Sequence, residues 1–211
     1  MPSIEQARAW YQDADPIHDF DHVLRVHEMA TRLAKEAGAD VEIVQAAALL
    51  HDAQGSTPGV EELRANHHEA SAAFAREALE AEGWPEERIA AVEHCIRAHR
   101  YRGGERPESV EAQVLFDADK LDVLGAIGAA RTIGYAVLAG EPIYSEPSEQ
   151  FKQTGEKVDG EPHSSYHEYL FKLRRVAGKL HTQAAKGIAK ERETYLDEFY
   201  RRLGAEMRAE E

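Results

Sequence analysis

Helix start and stop signals recur along the whole chain, and this recurrence constrains the fold more than any other feature of the sequence. Capping residues such as Ser, Asp and Asn precede helix-forming runs, and Gly or Pro follows them. Strand patterns that alternate apolar and polar residues are missing. The sequence therefore predicts an all-α fold.

Individual capping signals give the predicted helix boundaries. Capping boxes, in which Ser or Asn is followed three residues later by Gln or Glu, open helices at Ser3, Asn66 and Ser165. Further helices are expected to start near Asp15-Pro16 or Asp19, at Asp40, Pro85, Ser109 and Thr182. Predicted ends lie at Gly38, Gly83, Gly103-Gly104 and about Arg208. In the last helix the predicted packing stripe is Ile188, Tyr195, Phe199 and Leu203.

The length of 211 residues suits one compact domain with a real core. We expect a core over about residues 15–140 and C-terminal helices over about 165–208. The apolar stretch from Leu124 to Gly140 is expected to form a buried helix. Residues 141–163 are rich in Pro, Gly and polar side chains, so they are predicted to form a loop or lid.

The formal net charge of -14 limits the partners of the chain. Such an acidic protein is not expected to bind extended nucleic acid or a membrane surface. A small phosphorylated ligand remains compatible, because a metal and a few Arg or Lys side chains make a local cationic pocket. The oligomeric state, monomer or homodimer, is left open.

The single cysteine, Cys95, excludes an intramolecular disulfide and a thiolate metal cluster. The N-terminal residues have no apolar core of a signal peptide. A cytoplasmic protein is therefore expected.

Three separate segments supply side chains that can bind one divalent cation. They contribute His22, the pair His51-Asp52, and an aspartate from Asp117 or Asp119. Such a set of nitrogen and oxygen ligands leaves positions open for water and a phosphate. His51-Asp52 follows an apolar run, so the pair is expected to be partly buried and to need a partner that offsets its desolvation. The alternative is that the pair only caps a helix.

These segments, in this order and spacing, resemble the HD-domain phosphohydrolase superfamily. The runs 117–131, 172–173 and 182–192 resemble its small stand-alone bacterial members, several of which act on nucleotides. The resemblance implies an HD-type helical bundle in which His22, His51, Asp52 and one late aspartate bind the metal. Mn²⁺ is the preferred ion for two imidazoles and two carboxylates, with Mg²⁺, Co²⁺, Ni²⁺ or Fe²⁺ as alternatives and a second ion left open.

The late aspartate is predicted to be Asp119. Asp117 and Asp119 lie roughly 200° apart around a helix, so both cannot face one site. The final ligand of the family usually follows a small residue and precedes a basic or apolar one, as Asp119 does between Ala118 and Lys120. Asp122 is expected to lie on the same face as Asp119.

Further site roles are predicted for histidines and cations. Asp52, His68 and His99 are the candidate catalytic residues, while the other histidines are expected at the surface or in supporting positions. Arg25 and Lys120 are the candidate phosphate ligands. Arg131 would lie on one face with Lys120 if a continuous helix joined them; the alternative is an ion pair with an acid of a neighbouring helix.

The resemblance predicts a metal-dependent phosphohydrolase that cleaves a nucleoside or deoxynucleoside triphosphate to the monophosphate and pyrophosphate. A 5′-nucleotidase, a phosphodiesterase and a non-catalytic nucleotide sensor are the alternatives. His51-Asp52 is followed by Ala53-Gln54 and not by the Glu-Asp dyad of alarmone hydrolases. The Gly-Tyr-Pro signature of the cyclic-di-GMP branch is also missing.

Overall fold

A computed structural model describes residues 1–11, 20–54, 61–100 and 105–210. In the helix that begins at Glu61, side chains are described from residue 66 onward. Every regular element in these ranges is helical, which confirms the all-α prediction. The α-helices are α1 Ile4–Arg8, α2 Phe20–Ala37, α3 Val41–Leu50, α4 Glu61–Ala81, α5 Glu86–Ala98, α6 Val110–Leu121, α7 Gly125–Leu138, α8 Glu149–Thr154, α9 Ser165–Phe171 and α10 Gln183–Met207. Short 3-10 turns occupy Ala9–Tyr11, Leu173–Arg175 and Ala177–Lys179.

The chain divides into two compact units. The first unit comprises Met1–Lys120 and His181–Ala185, and the second comprises Leu121–Leu180 and Lys186–Glu211. The predicted division into one domain with a core, a lid and C-terminal helices stays a prediction. The signals proposed at Asp15-Pro16, Asp19 and Gly103-Gly104 lie outside the described residues.

Helix α3 is the centre of the first unit. It packs against α2, α4 and α5, and its residues from Ala46 to Leu50 are all buried. A helix that is apolar on all sides is stable only inside a protein, which explains its central position. Asp40 caps it as predicted, accepting hydrogen bonds from the backbone of Glu42 at 3.0 Å and Ile43 at 3.2 Å. The C-terminal end of α3 therefore places His51 and Asp52 inside the unit.

Two predicted helix starts are wrong. Helix α4 begins at Glu61, five residues before Asn66, because the intervening residues are strong helix formers and the capping pattern at Asn66 falls in the helix interior. The N-cap position of α9 is Ser164 and not Ser165, and the Ser164 side chain makes no capping hydrogen bond to the helix. Ser165 instead donates a hydrogen bond to the carbonyl of Ile143 at 2.5 Å. The capping box at Ser3 is confirmed, and so is the predicted start of a helix after Ser109.

The second unit is built around aromatic side chains of α9 and α10. The rings of Tyr169 and Tyr200 stack with centroids 4.4 Å apart. The buried stripe of α10 in this unit is Ala189, Leu196 and Tyr200, whereas Tyr195 is 48% exposed. The buried positions thus lie one residue after the predicted ones, which is a rotation of about 100° around the helix axis. Both sets have the same helical spacing, so spacing alone does not distinguish them.

Helix α7 is only partly buried, which corrects the expectation of a buried helix. Its inward face holds Gly128, Ala129, Thr132 and other small residues, while Leu138 is 64% exposed. Small side chains on one face allow close packing without the burial of the whole helix. Among the described residues, no single helix is long and apolar enough to cross a membrane; α6 and α7 reach that threshold only when counted together.

The segment 141–163 contains α8 and a network of hydrogen bonds. The carboxylate of Glu161 accepts from the backbone of Ser148 at 2.6 Å, from the hydroxyl of Ser148 at 2.7 Å and from the backbone of Val158 at 2.8 Å. These contacts connect the N-cap residue of α8 to the segment that follows the helix. Lid motion in this segment stays a prediction.

Asp117 links α6 to the N-terminal end of α10 within the first unit. Its buried carboxylate accepts hydrogen bonds from the backbone of His181 at 2.8 Å, and from the backbone and hydroxyl of Thr182 at 2.7 and 2.8 Å. An anion at the start of a helix also interacts favourably with the helix dipole. These contacts of Asp117 are therefore structural.

We predict that Asp117→Ala lowers the free energy of unfolding by roughly 2 kcal/mol, because it removes the buried acceptor of three hydrogen bonds from His181 and Thr182. Urea denaturation of the variant measures this loss. Glu77→Ala, which removes an exposed carboxylate on α4, is the control and should change stability by less than about 0.5 kcal/mol. Equal stability of the two variants would contradict the capping role of Asp117.

Candidate metal centre

His22, His51 and Asp52 come together in the first unit. Each offers one ligand atom, and these atoms lie within 4.8 Å of one another. His22 stands in the first turn of α2 and is 2% exposed, while His51 is fully buried at the C-terminal end of α3. The structure thus assembles three of the four predicted metal ligands from two helices that pack together.

The hydrogen bond of His51 fixes which ring nitrogen faces the cluster. Its Nδ1 lies 2.8 Å from the carbonyl oxygen of Ala48. A carbonyl only accepts, so Nδ1 carries the proton and Nε2 of the neutral ring presents a lone pair. Within the described part of the chain, His51 Nε2 and Asp52 Oδ1 are buried without a hydrogen-bond partner.

His99 repeats this arrangement at the C-terminal end of α5. Its Nδ1 donates to the carbonyl of Ile96 at 2.5 Å, and its Nε2 lies 3.5 Å from Asp52 Oδ1. Burial lowers the pKa of His99, which favours the neutral ring. A lone pair then faces a carboxylate oxygen, and a cation between such groups offsets their repulsion. The donor set therefore fits a divalent metal.

Asp119 lies at the same cluster. Its Oδ1 is 3.5 Å from His22 Nε2, and its other oxygen pairs with Lys120. Asp117 faces the start of α10 instead, as described above. These contacts favour the prediction of Asp119 over Asp117 as the fourth ligand.

The two cluster carboxylates are held in their ionised form. Burial opposes ionisation of Asp52, but positive charge on the surrounding imidazoles of His51, His99 and His67 outweighs it and keeps the pKa of Asp52 well below the usual range. When these rings are neutral, a bound cation would supply that positive charge instead. Burial also opposes ionisation of Asp119, and Lys120 and His22 among its neighbours lower its pKa. Both carboxylates are thus ready to bind a cation near neutral pH.

His67 is a site residue that the sequence did not indicate. Its Nε2 lies 3.5 Å from Asp52 Oδ1, and Asp52, His67 and His99 form a second group of potential ligands. The sequence favoured His68, which is buried and has its Nε2 3.8 Å from Glu69. Adjacent residues on a helix differ by about 100° in direction, so only the packing of α4 decides which one faces Asp52.

Other predicted residues are less central. His94 binds Glu105 at 2.7 Å, as expected for a histidine that cannot share the site with His99. His18 lies outside the described residues. Arg25 is half-buried on α2, one turn after His22. Lys120, besides its contact with Asp119, lies 5.4 Å from the centre of the Phe116 ring.

The continuous helix that would place Lys120 and Arg131 on one face does not exist. Helix α6 ends at Leu121 and α7 begins at Gly125, whose φ of +70° favours glycine. A Cβ on Gly128 would lie 2.2 Å from the carbonyl oxygen of Val123, so this break also requires a glycine there. Asp122 falls in the break, which removes the helical argument that it shares a face with Asp119.

Arg131 donates a hydrogen bond to Asp122 within the second unit. The sequence also allows an ion pair with an acid of a neighbouring helix, but Asp122 lies in the break that precedes α7. A substrate role for Arg131 stays a prediction.

The comparisons with known proteins agree with this geometry. The family described as HD domain matches residues 19–124, which span α2 to α6 and include every residue of the cluster. The chain belongs to the HD-domain family. This membership confirms the resemblance found in the sequence, and the HD-domain protein is accordingly a phosphohydrolase of the metal-dependent type.

Its similarities extend over nearly the whole chain. The uncharacterized protein YpgQ of Bacillus subtilis is 29% identical, over 96% of this chain and 93% of YpgQ. A crystal structure of YpgQ in complex with ADP is similar with a TM-score of 0.73 at 28% identity, covering 97% of both chains. An HD-superfamily hydrolase from Bacillus thuringiensis is similar with a TM-score of 0.70 at 28% identity, covering 98% of this chain and 97% of that one.

We predict that His51→Ala and Asp119→Ala lose at least nine-tenths of the Mn²⁺ bound by the wild type, because each removes a proposed ligand. Metal content after equilibrium dialysis, measured by elemental analysis, tests this. His94→Ala and Asp117→Ala are the matched controls and should keep most of the metal. Metal loss in Asp117→Ala with retention in Asp119→Ala would reverse the choice of the fourth ligand.

Proposed function

We propose that the protein hydrolyses nucleoside or deoxynucleoside triphosphates to the monophosphate and pyrophosphate, using one divalent metal held by His22, His51, Asp52 and Asp119. The observation that carries the proposal is the pair of buried ligand atoms, His51 Nε2 and Asp52 Oδ1, that lack a hydrogen-bond partner within the described chain. Buried polar atoms in native proteins are nearly always satisfied, so these two indicate an additional group between them.

The nucleotide part of the proposal is supported by a relative. YpgQ, which matches this chain over almost its entire length, has been crystallised in complex with ADP. The acidic net charge of -14 also makes a metal useful, because an anionic substrate needs local positive charge to approach. A small nucleotide therefore suits the site better than an extended polyanion.

When bound, a divalent cation supplies Lewis acidity that activates water and withdraws charge from the attacked phosphoryl group. The residues of the chain position and complete this centre. His51 is held by the carbonyl of Ala48, and His99 by that of Ile96, so neither ring needs to reorient during the reaction. His99, beside Asp52, would exchange a proton with substrate or water. His68 would support proton transfer nearby, and Arg25 and Lys120 would contact the phosphates.

We predict that the purified protein with added Mn²⁺ converts dATP to dAMP and pyrophosphate. A panel of nucleotides with Mn²⁺, Mg²⁺, Co²⁺ or Ni²⁺, in which phosphate, pyrophosphate and nucleoside are each measured, tests this. Release of phosphate from dAMP would instead establish a 5′-nucleotidase, and cleavage of a phosphodiester would establish a phosphodiesterase. Binding of dATP without any product would leave a nucleotide sensor.

We predict that His99→Ala lowers kcat at least 100-fold while most of the metal remains bound, because proton transfer by a positioned side chain typically contributes 10² to 10⁴. His94→Ala, on the same helix but bound to Glu105, should keep kcat within about twofold of the wild type. The readout is kcat at saturating nucleotide together with metal content. Equal rates for the two variants would remove His99 from the catalytic residues.

A further inference from the structure

The second unit contains a cavity of about 520 Å³ that combines aromatic rings with cationic side chains. This volume is in the range of small-molecule binding sites. Its main lining residues are Phe151, Lys152, Tyr166, Phe171, Arg174 and Arg175. None of these residues is one of the proposed metal ligands His22, His51, Asp52 and Asp119.

Arg174 and Arg175 supply the positive charge of this cavity that no described carboxylate pairs with at close range. Both are exposed, and neither guanidinium forms a hydrogen bond or an ion pair with the described residues. Arg175 lies over the ring of Phe171 at 4.9 Å, and Arg174 over the ring of Tyr169 at 5.8 Å. Stacking occupies the flat face of a guanidinium and leaves its N–H donors at the edge. The aromatic rings therefore position two guanidinium groups whose N–H donors are available to an anion.

The aromatic wall is fixed before any ligand binds. Gly155 has a φ of +76°, and a Cβ at this position would lie 2.0 Å from Cε2 of Phe171. The Phe171 ring thus packs directly on the backbone at the end of α8. Phe151, which is 3% exposed, lies 6.1 Å from Phe171 and 4.6 Å from the ring of His167. The Glu161 hydrogen bonds hold this segment in place.

The charge around the cavity favours an anion. No carboxylate is among its lining residues in the described chain, and Lys152 is already neutralised by Glu146 and Glu149, each at 3.0 Å. Near these residues Lys172 pairs with Glu168 at 2.8 Å, and Arg174 interacts electrostatically with Glu193. The guanidiniums of Arg174 and Arg175 are therefore the lining groups that supply positive charge for an anionic ligand.

We propose that this cavity binds a small phosphorylated molecule with an aromatic ring, of the class of a nucleoside monophosphate. The phosphate pairs with the guanidinium edges of Arg174 and Arg175, since a guanidinium fork matches two phosphate oxygens. The ring of the ligand lies in the cavity bordered by Phe171, Tyr166 and Leu170. This binding uses no metal and none of the proposed metal ligands.

Isothermal titration calorimetry of the full chain in excess EDTA tests the proposal with AMP, inorganic phosphate and adenosine as probes. AMP is expected to bind, phosphate to bind at least tenfold more weakly, and adenosine to show no measurable binding. Equal affinities for AMP and phosphate would overturn the proposed contact with the ring. No binding of AMP would overturn the site itself.

The double variant Arg174→Ala/Arg175→Ala should weaken AMP binding at least tenfold. Arg201→Ala/Arg202→Ala is the matched control, because it removes two exposed adjacent arginines that pair with Glu198 and Glu206. The control should bind AMP within about twofold of the wild type. Equal binding by the two double variants would overturn the role of the guanidiniums.

A third variant tests the cavity without changing charge. Leu170→Trp adds volume to the lining and is expected to weaken AMP binding at least tenfold while both arginines remain. Circular dichroism confirms that each variant is folded. If the double alanine variant fails to fold, Arg174→Lys/Arg175→Lys replaces it, and its affinity for AMP is expected to be intermediate. Wild-type affinity in Leu170→Trp would contradict binding inside the cavity.

Discussion

The carboxylate of Asp52 determines the arrangement of the first unit. Asp52 is half-buried, and its buried Oδ1 atom lies next to three imidazoles; two of these, His51 and His99, sit at the C-terminal ends of their helices. Each ring donates its Nδ1 proton to a carbonyl three residues earlier, where the end of the helix leaves a carbonyl without an intrahelical partner. The same contact satisfies the helix end and leaves Nε2 of each ring on the side of Asp52.

This geometry accumulates negative potential at one point. Two helix C-termini, which carry partial negative charge, are joined by the ionised carboxylates of Asp52 and Asp119. Imidazole lone pairs add to the same potential. In a buried position such a set of acceptors is costly unless a cation is present. The apolar helix α3 provides the rigid support that keeps these groups together, so the packing of the first unit and the chemistry of the centre depend on each other.

The sequence predicted the parts of the structure that depend on local signals. The all-α fold, the cap at Asp40 and the burial of His51 follow from capping residues and apolar runs that are visible in the sequence. The proximity of His22 to His51 required the family resemblance, because spacing alone does not bring distant segments together.

Other features depend on packing and could not be predicted. The direction of His67 towards Asp52 is set by how α4 packs, and the inward stripe of α10 differs from the predicted one by a single residue. The break between α6 and α7 depends on the positive φ of Gly125 and on the close carbonyl next to Gly128. The argument that Lys120 and Arg131 share a face assumed one helix through this break, and backbone features of this kind are not visible as helical spacing in the sequence.

Anomalous X-ray diffraction from crystals grown with Mn²⁺ shows which side chains bind the metal. Data collected on both sides of the manganese absorption edge locate the ion independently of the protein phases. We predict a manganese peak between His22 Nε2, His51 Nε2 and the carboxylates of Asp52 and Asp119. A peak bound by Asp117, or the absence of manganese from this cluster at saturating Mn²⁺, would contradict the account.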